Sequence, residues 1–82
     1  MVIFTKHALN KLDRKDIKQF KINKSFIKSV VKNPDKLSKT KYRDYAAIAR
    51  LDNSHEIRII YDIIINDYKI ITFHIARKGR YL

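Results

Sequence analysis

The feature that most restricts this chain is a pair of β-prone runs in its last third. Glu56 to Ile65 and Tyr68 to Arg77 are dominated by β-branched and aromatic residues that suit a pleated strand. Only Asn66-Asp67 separates them; this is a tight turn, although it lacks the glycine that best favours a two-residue hairpin. A third run, Tyr45 to Leu51, ends in the polar turn Asp52-Asn53-Ser54-His55. Strands joined this tightly pair antiparallel. Period-two alternation then sorts their faces. Ile57, Ile59, Tyr61, Ile63 and Ile65 point one way, and Arg58, Ile60, Asp62 and Ile64 the other. In the last strand Ile71, Phe73 and Ile75 oppose Ile70, Thr72, His74 and Ala76. The apolar sets are expected beneath helices. The mixed sets, with Arg58, Thr72 and His74, are expected on an open face.

The helices come from the first half. Val2-Ile3-Phe4 reads as a short opening strand, and Thr5 as the N-cap of a helix running to about Phe20. At helical spacing Ala8, Leu9, Leu12 and Phe20 share one face, and His7, Lys11, Arg14 and Lys18 gather on another. Asn23 or Ser25 caps a second helix with Phe26, Ile27, Val30 and Val31 on its apolar face. Pro34 disfavours helical geometry at Asn33 and stops it. Lys36 to Lys41 reads as a loop. The expected fold is α+β, a single domain over residues 1–82 with two N-terminal helices packed on one face of a small antiparallel sheet.

Charge narrows the partners. There are 19 Lys+Arg against 8 Asp+Glu, a formal net charge of +11. Residues 1–43 carry 13 of those cations and 3 of the acids, so the excess lies in the helical half. Self-repulsion on this scale works against a compact state and points to a polyanionic partner, RNA first. Lys15, Lys21, Lys24, Lys28, Lys32, Lys36, Lys39, Lys41 and Arg43 are scattered and mostly solvated, some of them meeting backbone phosphates. With no cysteine and no signal-peptide pattern, a reducing, cytoplasmic location is expected. No apolar run approaches the ~20 residues of a spanning helix. Three histidines far apart in sequence and no H-E-x-x-H motif argue against a metal site, and the single Gly79 against a glycine-rich phosphate loop. No cofactor is expected.

Several segments resemble the RelE/BrnT-like type II toxin superfamily. The C-terminal sheet of that superfamily is echoed by Tyr45-Ala46-Ala47-Ile48-Ala49-Arg50-Leu51, by Arg58-Ile59-Ile60-Tyr61, by Lys69-Ile70-Ile71-Thr72-Phe73 and by the basic end Arg77-Lys78-Gly79-Arg80-Tyr81. The front is similar to an uncharacterised branch of it, with the His7-Ala8 pair, the Asp13-Arg14 pair and a helix closing in Asn33-Pro34-Asp35. The segment between Arg14 and Phe26 is longer than in that branch. The resemblance implies a RelE-like toxin fold and metal-independent cleavage of RNA, often on translating ribosomes. It also implies neutralisation by a co-expressed antitoxin, here an acidic one.

Metal-free RNA cleavage needs a base for the 2′-OH, cations for the crowded phosphate and an acid for the leaving 5′-oxygen. His7 is the first candidate for proton transfer and His74 the second. Arg14 is read as a phosphate clamp or a support for His7, unless it merely pairs with Asp13 or Asp16. Arg58 is read as the main phosphate ligand, its alternative being a cross-strand pair with Asp62. From the resemblance, Arg80 would contact the scissile phosphate and Tyr81 would stack on a base or donate its hydroxyl, against the alternative of a frayed end. Lys11, Lys18, Arg50, Arg77 and Lys78 complete the set as RNA-binding residues. Two other readings remain: a non-catalytic nucleic-acid-binding protein of viral or plasmid origin, and a module docking an acidic protein.

Overall fold

The computed structural model describes residues 1–42 and 44–82; Arg43, counted above among the basic residues, lies outside them. The elements run β1 (Val2–Phe4), α1 (Lys6–Leu12), α2 (Lys15–Lys18), α3 (Lys24–Lys32), β2 (Lys36–Lys39), β3 (Tyr45–Arg50), β4 (His55–Ile64) and β5 (Asp67–Arg77). The five strands form one sheet in the order β1-β5-β4-β3-β2. Helices on one side of it make the α+β layer that the sequence pattern implied. The sheet is mixed, however, not antiparallel: β1 lies parallel to β5, with Ile3 opposite Lys69.

The helical half also differs from expectation, with three short helices where two were expected. The first stops at Leu12, and Arg14 is extended, with ψ at 140°, before α2 begins. The reason lies in the burial of Ile17. At about 100° per residue, Ile17 in an unbroken helix would face opposite Ala8. The break turns it inward, so Ala8 and Ile17 are both buried. Thr5 caps α1 through Oγ1, which accepts from the Ala8 N–H at 3.1 Å. The same hydroxyl donates to the Ile71 carbonyl at 3.0 Å, which fixes the helix to β5. For α3 the cap is Asn23, whose Oδ1 accepts from the Phe26 N–H at 2.8 Å, and Ile27, Val30 and Val31 are buried beneath it.

Three further corrections concern the strands. Lys36 to Lys39 is not loop but the edge strand β2, paired with Tyr45 to Ile48. Its lysines and single leucine suit a guarded sheet edge and hide its strand pattern. The β4–β5 turn is Ile65-Asn66 rather than Asn66-Asp67, because Ile64 pairs with Asp67. Finally, Ile60 opposes Thr72 while Tyr61 opposes Ile70, so Ile71 is an extra, bulged residue. Before the bulge the faces invert: Ile70 is fully buried in the helical core instead of Ile71. After it, Phe73 and Ile75 face the helices and Thr72 and His74 the open side, as their alternation implied. At the hairpin tip Ile63 and Ile65, expected in the core, are exposed.

Candidate functional site

β4 and β5 carry the side chains that matter. Arg58 and His74 are direct cross-strand partners on the open face. Past Ile70, β5 runs beyond the end of β1, so α1 lies against it there. Lys11 reaches over that edge: its Nζ is 5.4 Å from the Phe73 ring centroid and 3.2 Å from His74 Nδ1. An ammonium only donates, so this contact suits an imidazole that accepts at Nδ1 and carries its proton on Nε2. Partial desolvation first, then the charges of Lys11, Arg58 and His7, push the His74 pKa below the ordinary value. Lys11 is lowered too, by burial and by Arg14.

Around this pair the remaining candidates fall into place. His7, Asn10, Lys11 and Arg14 line one hollow of about 260 Å³. Lys11, Arg14, Asp16 and His74 line a second, of about 240 Å³. His74, Arg77, Arg80 and Tyr81 line a third, of about 450 Å³, on the other side of the imidazole. Arg14 is held by Asp16 through two bonds, Nε to Oδ1 at 3.1 Å and Nη2 to Oδ2 at 3.0 Å, one of the pairings open from sequence. Arg58 lies under the Tyr81 ring, with its guanidinium carbon 5.6 Å from the centroid.

Not all candidates join. Lys18 faces Asp13 at 4.0 Å. Arg50 is exposed at the end of β3, its N–H bonded to Asp35 Oδ2 at 3.0 Å. Lys78 is exposed in the turn after β5, its N–H bonded to the Ser54 carbonyl at 2.8 Å.

A residue absent from the sequence reading organises the tail. Glu56 is 1% exposed, the one buried charged side chain among the described residues. Its Oε2 accepts from the Gly79 N–H at 2.9 Å, and its Oε1 from those of Tyr81 at 2.9 Å and Leu82 at 3.3 Å. Those bonds, led by Gly79 and Tyr81, hold the carboxyl below the usual range. Gly79, at φ +91°, makes the turn that sends the chain back. Lys36 Nζ then meets the Tyr81 carbonyl at 3.3 Å. The tail is thus a strap from β5 across to β2, and Tyr81 is placed on Arg58 rather than fraying. Glu56 is the only glutamate in the chain and shares the open-face parity of Arg58, but the backbone N–H groups it binds leave no sequence motif beside it.

No family model, curated protein or solved structure matches this chain. Its function is therefore a question for the side chains themselves. Among the described residues no three His, Asp or Glu side chains gather as metal ligands, and no helix is long and apolar enough to cross a membrane.

Proposed function

We propose that this chain is a metal-independent endoribonuclease of the RelE-like toxin kind, cytoplasmic and controlled by an acidic antitoxin protein. One observation carries the reading: the His74 imidazole is in contact with the Lys11 ammonium and opposite the Arg58 guanidinium. A proton acceptor between two cations is what attack of a 2′-OH on its neighbouring phosphate requires. In the free protein Nδ1 is occupied by Lys11. A bound phosphodiester offers its oxygens to Lys11 and Arg58, and the freed Nδ1 takes the 2′-OH proton. The 2′-oxygen attacks phosphorus and the P–O5′ bond breaks. The 5′-oxygen leaves with a proton from an acid on the cluster, His7 and Tyr81 flanking His74 for that role. The first product end is a 2′,3′-cyclic phosphate. Arg80, Arg77 and the helical lysines hold the adjoining backbone, so affinity falls with salt.

The test is cleavage of RNA, free and on translating ribosomes, in excess EDTA, with product ends identified by mass. His74→Ala and Arg58→Ala are each expected to lower the rate by about 10²-fold or more, in the range of general acid–base and phosphate-binding groups. Melting curves should stay close to the parent's, since both side chains lie on the open face. Undiminished cleavage in both variants rejects this site. Salt-sensitive binding with no cleavage of any RNA leaves the non-catalytic nucleic-acid binder in its place.

A further inference from the structure

Arg58 also forms a wall of a separate hollow of about 490 Å³ at the other end of the open face, lined by Lys39, Thr40, Tyr42, Asp44 and Ile60. Ile60, 9% exposed, contributes a small apolar part of the lining. Tyr42 is 73% exposed, and the Lys41 ammonium is 5.1 Å from its ring centroid. The loop carrying these groups is hydrogen-bonded across its base, the Thr40 N–H to the Asp44 carbonyl at 2.8 Å and the Tyr42 N–H to Thr40 Oγ1 at 3.1 Å. Asp44 is the one carboxylate among the described lining residues.

The geometry points to a nucleobase subsite that selects guanine. The identity of the ligand as RNA rests on the ribonuclease reading above. Ile60 and Arg58 are two residues apart on one face of β4, so their side chains leave the sheet about 7 Å apart. That is the order of spacing between a phosphate and its own base, so a phosphate on Arg58 places a base over Ile60 with Tyr42 free to stack. A carboxylate accepts hydrogen bonds and donates none. The edge of guanine offers N1–H and the N2 amino group side by side, one donor for each carboxylate oxygen. Adenine and cytosine offer a single amino group beside an acceptor. Uracil offers one N–H between two carbonyls, which the carboxylate repels. The hollow is large enough for the bicyclic base.

The experiment measures equilibrium binding of four 2′-O-methyl trinucleotides, U-N-U with G, A, C or U in the centre, which cannot be cleaved because the nucleophile is blocked. The guanine form should bind about tenfold or more tightly, the scale of a bidentate base contact. In Asp44→Asn that preference should vanish. In Tyr42→Ala, which removes an exposed side chain, all four affinities should fall together. Equal affinities in the parent, or a guanine preference that survives Asp44→Asn, overturn the inference. The unmodified trinucleotides tested in parallel separate the two claims. Preference with no cleavage of these trinucleotides or of RNA on translating ribosomes keeps the subsite and removes the nuclease, and cleavage without preference does the reverse.

Discussion

Ile65 turns the β4–β5 hairpin with φ at +56°, in the left-handed region, yet it is β-branched and 90% exposed. An L-residue there costs about 1–2 kcal/mol, and a β-branched one sits badly in that region. Replacing it by glycine removes that strain and forfeits almost no buried surface. Against this stands the added freedom of glycine in the unfolded chain, about 0.5–1 kcal/mol. The net stabilisation for Ile65→Gly is about 0.5–1 kcal/mol. Unfolding entropy of about 2.1 cal/mol/K per residue gives an 82-residue chain about 0.17 kcal/mol/K, so the melting temperature should rise by about 3–6 °C. Differential scanning calorimetry at fixed pH and salt reads this directly. Turn chemistry supports the sign, since a hairpin turn with positive φ at its first central residue favours glycine there. An unchanged or lower melting temperature refutes the account, and would mean that Ile65 contributes contacts or a register preference beyond its own backbone strain. Cleavage activity should be untouched, because the turn lies at the far end of the strands from Arg58 and His74.

Glu56→Gln should loosen the strap, because an amide nitrogen faces one of the N–H groups that the carboxylate oxygens satisfied; amide exchange at residues 79–82 should rise and RNA cleavage fall with the helical core unmelted, and continued protection there would sink the clamp. For His74 the folded pKa is depressed, so the unfolded chain binds more protons below its ordinary value of 6.5. Stability should accordingly be full above that pH and decline as the pH falls through the folded value. Lys11→Met removes a cation beside the ring and should move its NMR titration upward, with the acid limb of the cleavage profile following; an unmoved titration would mean that Lys11 does not touch the ring in solution.

Much of this arrangement was legible beforehand. Alternation placed Arg58 and His74 on one face because period-two patterning holds wherever one side of a sheet is buried. It failed at Ile70 and Ile71, where a bulge inserts a residue that no local pattern announces. Amphipathic spacing grouped His7 and Lys11 correctly on α1; Arg14, expected on the same helix, joins them from the extended break after it. The same spacing carried the helix too far, since the burial of Ile17 against the sheet outweighs helical continuity. Strand β2 was hidden by its lysines, and Glu56 by its isolation, because a carboxylate that binds only backbone N–H groups leaves no side-chain motif to find. Parallel pairing of β1 with β5 joins residues more than sixty positions apart, beyond the reach of any windowed pattern.

That long-range pairing has a consequence for when the protein becomes competent. Thr5 docks onto the carbonyls of Ile70 and Ile71, and Lys11 meets His74 across sixty-three positions. During vectorial synthesis the cationic helices emerge long before their counterpart on β5. On the proposed reading, a nascent chain would already attract polyanions while it still lacks an assembled centre, and competence would arrive in one late closure event.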